Sequence, residues 1–174
     1  MKKIFLIVCL LLLPATTWAV DGYKNLKFGI KKEAVKKSKL CHFEEIPPDD
    51  GDVMETLGCQ DYKFNGVTTI AWAYFIDGKF LRFAFGVPSE HFVTTLEALG
   101  EKYGRASSGS TKEALLAVER YPNRNASLSF DKDTITLTYD SDENSNLRAT
   151  VVYSSPDYMR LYKKKNKAGM KDSL

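Results

Sequence analysis

The strongest pattern in the chain is a nearly unbroken run of β-branched and aromatic residues over positions 67–87, interrupted by Asp77-Gly78. Asp-Gly between apolar runs predicts a two-residue type I′ hairpin turn, because both turn residues need positive φ. Strict alternation from that turn divides the side chains between two faces. The face predicted to be the core wall carries Ile70, Trp72, Tyr74, Ile76, Leu81, Phe83 and Phe85. The opposite face carries Ala71, Ala73, Phe75, Phe80, Arg82 and Ala84.

A further strand is predicted just before this hairpin, over residues 60–64, with Asn65-Gly66 as a second two-residue turn. The same alternation adds Tyr62 and Phe64 to the alanine-rich face. The three strands then form an antiparallel meander with aromatic residues on both faces. Because a small sheet needs only one covered face, the second face is expected to meet another part of the chain or a partner.

Two helices are predicted, each opened by the same short pattern, Phe-Gly-x-x-x-Glu. The first copy begins at Phe28 and leads into a short helix that ends near Leu40. The second copy begins at Phe85 and precedes a helix over residues 90–103, with Ser89 as the N-cap and Gly104 after the last turn. The repeat predicts a domain over residues 20–155 made of two similar halves, residues 26–84 and 85–155.

Four strands with alternating apolar and polar residues are predicted after the second helix, over residues 115–121, 126–130, 134–139 and 147–153. A short terminal helix is predicted to start at Ser155-Pro156. The predicted class is therefore α+β. Its architecture is a tandem of helix plus antiparallel meander, α-βββ and then α-ββββ, followed by a short C-terminal helix.

The first 19 residues have the pattern of a secretory signal peptide. Lys2 and Lys3 precede an apolar run over residues 4–13, and a small-residue pattern then ends at Ala19, after which we expect cleavage. Lipidation at Cys9 is the weaker alternative, because Val8 stands where a small residue is required and the cysteine lies inside the apolar run. The expected location is periplasmic or secreted.

Two cysteines, Cys41 and Cys59, remain after the predicted cleavage. An even pair in an oxidising compartment predicts a disulfide. The alternative is a metal site formed by both cysteines with His42 and a carboxylate such as Glu44 or Asp61, but the spacing matches no zinc pattern. We therefore predict a disulfide, no metal site and no cofactor.

The charged residues are unevenly distributed, with an excess of basic residues at the C-terminus. Without Lys2 and Lys3 the chain has 23 basic and 22 acidic residues, so nucleic acid is not an expected partner. Residues 156–174 form a separate basic tail. Weak contact between this tail and an anionic membrane surface is one predicted role for its lysines.

Motifs that carry chemistry are missing from the sequence: there is no glycine-rich phosphate loop, no His-Glu-x-x-His and no Gly-x-Ser-x-Gly. Its two histidines, His42 and His91, lie in no nucleophile motif. Enzymatic activity is therefore the less favoured reading. A hydrolase of an unrecognised family, with carboxylates from the acidic loop at residues 49–52, is the alternative.

The tandem arrangement opened by Phe-Gly-x-x-x-Glu resembles the folds of the β-lactamase-inhibitor protein and of the SmpA/OmlA outer-membrane assembly lipoproteins. The resemblance implies a protein that binds another protein through its sheet, such as an inhibitor, an immunity protein or an envelope accessory factor. The predicted contact surface is a concave aromatic patch, and the alternative is that the same aromatics form core between the two halves. The candidate binding residues are Tyr62, Phe64, Phe75, Phe80 and Arg82.

Overall fold

A computed structural model of the chain describes residues 19–49 and 52–172. The predicted signal peptide lies outside these residues except for Ala19. The described part is an α+β fold, as predicted. Its elements are β1 (Gly22–Tyr23), β2 (Leu26–Lys27), α1 (Lys32–Lys36), β3 (Glu44–Ile46), β4 (Glu55–Phe64), β5 (Val67–Ile76), β6 (Lys79–Val87), α2 (Phe92–Tyr103), β7 (Ser108–Gly109), α3 (Lys112–Arg120), β8 (Arg124–Phe130), β9 (Ile135–Ser141), β10 (Leu147–Ser154) and α4 (Tyr158–Asp172).

One antiparallel sheet of eight strands organises the molecule, in the order β3-β4-β5-β6-β10-β9-β8-β7. Strands from both predicted halves share this sheet, because β6 pairs with β10 along six residue pairs. The separate β1–β2 hairpin lies against the main sheet. Pairing β6 with β10 removes two strand edges that separate meanders would expose to other chains.

The two faces of the main sheet differ in what covers them. On the inner face, α1, α2, α3 and the β1–β2 hairpin contribute to a single hydrophobic core. Phe92 of α2 illustrates the packing, since its ring stacks on Tyr139 of β9 with centroids 4.0 Å apart. The outer face is covered at one corner by α4, whose Tyr158, Leu161 and Tyr162 pack with Met54, Ile76 and Leu81.

The two hairpin turns are confirmed. Asn65 and Gly66 have φ of 46° and 81°, and Asp77 and Gly78 have φ of 51° and 68°. Both central residues of each turn are thus left-handed, as a type I′ turn requires. The first predicted pair beyond the second turn, Ile76 with Lys79, is also present.

The predicted division of side chains beyond that pair is wrong, because β6 contains a bulge. Phe75 pairs with Phe80 and Tyr74 with Arg82, so Leu81 is an extra residue without a partner on β5. A bulge moves every following side chain of its strand to the other face. Phe83 therefore joins Phe80 in the core.

A second bulge in β4 has the same effect. Cys59 pairs with Ala71 and Tyr62 with Thr69, which leaves two residues of β4 opposite one residue of β5. Cys59, which unbroken alternation placed beside Trp72, therefore moves to the core face at 5% exposure, whereas Tyr62 keeps its predicted face and is buried there at 1% exposure.

Residues 115–121 were predicted as a strand but lie almost entirely in α3. The hydroxyl oxygen of Thr111 accepts a hydrogen bond from the backbone N–H of Ala114 at 3.3 Å and so caps the helix. Its apolar residues Leu115 and Val118 pack on the core at the helical spacing of three. The strand that precedes β8 in this half is instead the two-residue β7.

The other helices begin or end differently from the prediction. Helix α1 is limited to five residues. Residues 89–91 form a 3₁₀ turn before α2, and Ser89 makes no side-chain cap. Gly104 ends α2 at φ 82°, as predicted. Helix α4 has 15 residues and is longer than the short terminal helix predicted.

Candidate functional site

Three of the five candidate binding residues are core residues. Tyr62, Phe75 and Phe80 are at most 1% exposed and belong to the core under the helices. Phe64 is half-buried and packs against the same core. The predicted exposed patch does not exist at the three buried residues, because the alanine-rich face that carries them is the one covered by the helices and the β1–β2 hairpin. The alternative, that these aromatics are core between the halves, agrees with their burial.

Tyr62 has a polar as well as an apolar environment. Its hydroxyl hydrogen-bonds the hydroxyl of Tyr23, and the Lys24 ammonium lies 5.2 Å from the centre of its ring. Burial, followed by this hydrogen bond, raises the pKa of Tyr23 above its ordinary value. Tyr62 and Phe64 also line a cleft of about 440 Å³ between the β4–β5 turn and α2.

Arg82, the fifth candidate, points to the outer face. Its guanidinium carbon lies 3.6 Å from the centre of the Tyr158 ring, and its Nε donates to Ser154 Oγ at 2.9 Å. Burial lowers the pKa of Arg82, while Tyr158 and Tyr74 oppose that shift. The side chain therefore fixes α4 to the sheet through a cation–π contact.

The surface that does combine exposure with an aromatic anchor lies on the same outer face, centred on Trp72. A single row of paired residues crosses the sheet there: Gly58 pairs with Trp72, Trp72 with Ala84, and Ala84 with Val152. The indole thus has a glycine on one side and an alanine on the other. The alanine leaves one flank of the ring open, and on the other flank the Ile46 side chain lies over the glycine.

A cleft lies on each side of Trp72. The larger, about 590 Å³, extends toward β3 and is lined by Ile46, Ile70 and residues around the disulfide. The smaller, about 250 Å³, extends toward β10 and includes Ala84 and Val152. Ile46 and Ile70 are 41% and 44% exposed, which is unusual for isoleucines on a sheet. We name the surface formed by Ile46, Ile70, Trp72, Tyr74 and Val152 the Trp72 surface.

Gly58 is required where it lies. A Cβ atom built on it would lie 2.7 Å from Cδ1 of Ile46 and 3.8 Å from Cδ1 of Trp72. The Ile46 side chain therefore crosses the glycine and forms one wall of the larger cleft.

The far end of the larger cleft is polar. His42, Glu44, Glu45 and Asp61 line it, and His42 Nε2 lies 4.0 Å from Glu44 Oε1. Glu45 is paired with lysines of α1, at 3.1 Å to Lys36, which lowers the pKa of Glu45. The remaining carboxylates of this end give the cleft an acidic rim.

The predicted disulfide between Cys41 and Cys59 is present, with Cα atoms 6.2 Å apart. It ties the loop that carries His42 and Glu44 to β4, and closing this loop stabilises the fold by about 3 kcal/mol in the chain-entropy model. The carboxylate of Asp61 lies within 4.8 Å of both sulfur atoms. Since the sulfurs are bonded to each other, they are not thiolate ligands for the alternative metal site.

Sequence reasoning placed Ile70, Trp72 and Tyr74 in the core and so missed this surface. One signal was available: Gly58, Ala84 and Gly86 are small residues in otherwise large-residue strands. Small residues beside an aromatic strand position indicate a close approach or an open flank.

The fold and this surface together define a class: an α+β protein whose main antiparallel sheet is covered by helices on one face. Half of the other face is apolar and open to solvent. The chain belongs to a family described as "Uncharacterised protein", whose profile matches residues 23–173. No helix among the described residues has the length and apolar character needed to span a membrane.

Two bacterial relatives match nearly the whole chain. An uncharacterized protein of Haemophilus influenzae is 31% identical over 174 residues, which cover 99% of this chain and 98% of the relative. An uncharacterized protein of Pasteurella multocida is 28% identical over 181 residues, which cover 93% and 92%. No solved structure gives a significant match.

Proposed function

We propose that this chain is an extracytoplasmic protein-binding module that takes up an apolar segment of another protein on the Trp72 surface. One observation carries the proposal: Trp72 stands on an exposed sheet face between Gly58 and Ala84, with a cleft on each side. An aromatic anchor flanked by open apolar clefts is the arrangement found at the centres of protein interfaces.

Export from the cytoplasm is supported by two features. The N-terminal sequence has the pattern of a signal peptide. The Cys41–Cys59 bond is of a kind that persists in oxidising compartments, which in bacteria means the periplasm. The periplasm is the compartment in question because the relatives of this chain are bacterial.

The energetics favour an apolar occupant. A partner side chain placed in either cleft would remove both itself and the flank of the indole from water, at about 25 cal/mol per Å² of apolar area. Ile46 and Ile70 would be covered at the same time. Because the alanine and glycine neighbours leave the clefts open, the partner can insert side chains without displacing those of this chain.

The carboxylates at the polar end of the larger cleft indicate which charge the partner segment carries. Glu44 is 81% exposed on its side chain, and the nearby Asp61 is exposed as well. Lys36 and Lys32 already form ion pairs with Glu45. The carboxylates left to attract a cation of the partner are therefore those of Glu44 and Asp61. The expected partner segment therefore has a lysine or arginine beside its apolar residues.

A hydrolase is less well supported by the same cleft. The residues that line it include no serine or threonine, and the one cysteine among them, Cys59, is in the disulfide. His42 and Glu44 are more than four-fifths exposed on their side chains, so water solvates both. The resemblance to the β-lactamase-inhibitor protein and to the SmpA/OmlA lipoproteins also favours binding over catalysis.

The partner is to be identified by placing a photo-crosslinking amino acid at position 70 of the exported protein in its own host. Position 138, on the polar half of the same sheet face, is the matched control, since Thr138 is half-buried and pairs with Thr150. A product formed from position 70 and not from position 138 is the expected result. Equal products from both positions contradict a specific surface.

The purified partner then tests the surface directly by fluorescence. After the predicted cleavage Trp72 is the single tryptophan of the chain, because the other is Trp18. Binding should shift its emission to shorter wavelength. Ile70→Ala should weaken binding by about tenfold or more, equivalent to about 1.4 kcal/mol. Thr138→Ala should leave the affinity unchanged. Equal affinities for wild type and Ile70→Ala would refute the proposal.

A further inference from the structure

The backbone nitrogen of Val20 makes a contact that the binding function does not use. Its N–H donates to Oδ2 of Asp131 at 2.6 Å, across a separation of 111 residues. Val20 is half-buried and packs against the core. Val20 is also the residue that follows the predicted cleavage position, Ala19.

The Asp131 carboxylate is held in place independently of Val20. It lies in the turn between β8 and β9, where Asp131, Lys132 and Asp133 all have positive φ, between 49° and 65°. The hydroxyl of Thr134, which is 5% exposed, donates to Asp131 Oδ2 at 2.9 Å and to the Asp131 carbonyl oxygen at 2.7 Å. Three consecutive left-handed residues are costly, so the surrounding contacts fix this turn.

The Val20 side of the contact is held by a different part of the fold. The N–H of Phe28 donates to the Asp21 carbonyl oxygen at 2.8 Å, which closes the β1–β2 hairpin. Tyr23 in that hairpin stacks on Phe83 with ring centroids 4.5 Å apart. The position of the Val20 nitrogen is therefore set by core packing of the residues just after it.

We propose that Asp131 is the binding site for the α-amino group that cleavage of the Ala19–Val20 bond creates, so that processing locks the N-terminus onto the β8–β9 turn. This inference rests on the export part of the proposed function. Water is the co-reactant of the hydrolysis, and a signal peptidase is its catalyst. The oxygen of water goes to the Ala19 carbonyl carbon and a hydrogen to the Val20 nitrogen, which takes up one more proton near neutral pH to become an ammonium group.

The change of chemistry at one nitrogen alters the strength of the contact. Before cleavage the Val20 nitrogen is a neutral amide with one donor; afterwards it is a cation with three donors. The amide already donates to a charged acceptor, so what cleavage adds is the Coulomb attraction between a full positive and a full negative charge. A cavity of about 350 Å³ adjoins Ala19, and its lining includes the carboxylate of Asp133 as well as the cations Arg82 and Lys132. Water in this cavity can accept from the additional donors.

The consequence is a chain whose folded state is more stable after processing than before it. The precursor lacks the ion pair while it is being exported. The mature chain gains a contact between its first residue and a turn in the C-terminal half of the sheet. A cleavage position one residue away on either side would place the ammonium group away from Asp131.

Intact-mass measurement of the exported protein tests the first part. A mature chain that begins at Val20 is expected. Any other N-terminus overturns the proposal at this step and leaves the Trp72 surface untouched, so the two can fail separately.

Melting temperatures test the ion pair in a four-way comparison. One chain begins at Val20 with a free α-amino group, and the other has Gly-Gly before Val20, which restores the amide. Each is made with Asp131 and with Asp131→Asn. The free-amine chain should melt about 3–6 °C higher than the extended chain when Asp131 is present. Asp131→Asn should abolish that difference.

Asp21→Asn is the matched control, because Asp21 is an exposed carboxylate next to Val20 that pairs with Lys27 instead. It should leave the difference intact. A difference that persists in Asp131→Asn overturns the proposal.

A second readout needs no substitution. The rate at which an amine-specific reagent labels the α-amino group, followed by peptide mass spectrometry, should be at least tenfold lower in the native mature chain than in urea. Equal rates in the two conditions would also overturn it.

Discussion

The outer face of the sheet has two halves with opposite chemistry, although one row of paired residues connects them. From β4 to β10 the row runs Gly58, Trp72, Ala84 and Val152. Across β9, β8 and β7 it continues with Thr136, Ser129 and Ser108. The same backbone geometry therefore presents an indole between small residues on one side and short hydroxyl side chains on the other.

The inner face shows no such contrast. Both halves bury aromatic and aliphatic residues there, under α1 and the β1–β2 hairpin on one side and under α2 and α3 on the other. An antiparallel sheet with one covered face normally presents polar residues to water on the other, as the half formed by β7, β8 and β9 does. Folding alone does not require an exposed Ile70 beside Trp72, so the difference supports the proposal that the Trp72 surface binds a partner.

The largest expected effect separates the inner face from the outer one. Tyr62→Ala removes a residue that is 1% exposed together with its hydrogen bond to Tyr23, and should lower the free energy of unfolding by about 3–5 kcal/mol. Trp72→Ala, at a half-buried position on the outer face, should lower it by less, about 1–2 kcal/mol. Urea unfolding followed by circular dichroism measures both, since the second variant has lost the fluorescent probe.

Tyr62→Phe is the control for the first variant, because it removes the hydroxyl and keeps the ring. It should cost about 1 kcal/mol. If Trp72→Ala instead costs about 3 kcal/mol, Trp72 supports the core and the contrast between the two faces fails.

A smaller effect is expected from alkaline pH, which acts on the buried tyrosines, and the largest upward pKa shifts among them are those of Tyr23 and Tyr153 on the inner face. Burial is the main cause that raises the pKa of Tyr23 and of Tyr153 far above the ordinary value of about 10. Below about pH 10 these phenols are neutral in both the folded and the unfolded chain, so their contribution to the free energy of unfolding is fully present. Above it the unfolded chain loses protons that the folded chain keeps, so stability falls as pH rises, by up to about 1.4 kcal/mol per pH unit for each group.

Denaturation midpoints between about pH 9.5 and pH 11 measure this slope. Tyr153→Phe should reduce the slope, whereas Tyr121→Phe, at a position that is 54% exposed, should not. A slope that Tyr153→Phe leaves unchanged contradicts the assignment to the inner-face tyrosines.

The smallest effect is expected at the end of α4. The contacts of α4 with the sheet involve Tyr158, Leu161, Tyr162 and Lys165, whose ammonium lies 2.5 Å from Asp77 Oδ1. Deleting residues 170–174 should therefore leave the melting temperature within about 1 °C of wild type. A large drop would show that the last residues are part of the fold.

Contact between the basic residues of the same tail and an anionic membrane surface remains a prediction. Each lysine near an anionic surface is worth about 1 kcal/mol at low salt. Sedimentation with phosphatidylserine-containing vesicles at low and at high salt measures it. Absence of binding at low salt contradicts this role.

The sequence by itself determined the class of fold, the disulfide and the two hairpin turns. These features depend on few residues: Asn65-Gly66 and Asp77-Gly78 are suited to positive φ, and an even pair of cysteines behind a predicted signal peptide is expected to bond. The pairing of Ile76 with Lys79 followed for the same reason, since it lies next to the turn. Beyond a few residues from each turn the prediction depended on unbroken alternation.

Only the tertiary structure decided which face of the sheet is core. One extra residue, Leu81, moves Phe83 inward and leaves Trp72 outward, and the backbone hydrogen bonds allow either arrangement. The choice is made by packing, because the helices and the β1–β2 hairpin bury the alanine-rich face while α4 covers only a corner of the other. The helix at 112–120 was misjudged for a related reason: a short apolar run fits a strand or a helix, and contact with the core selects between them.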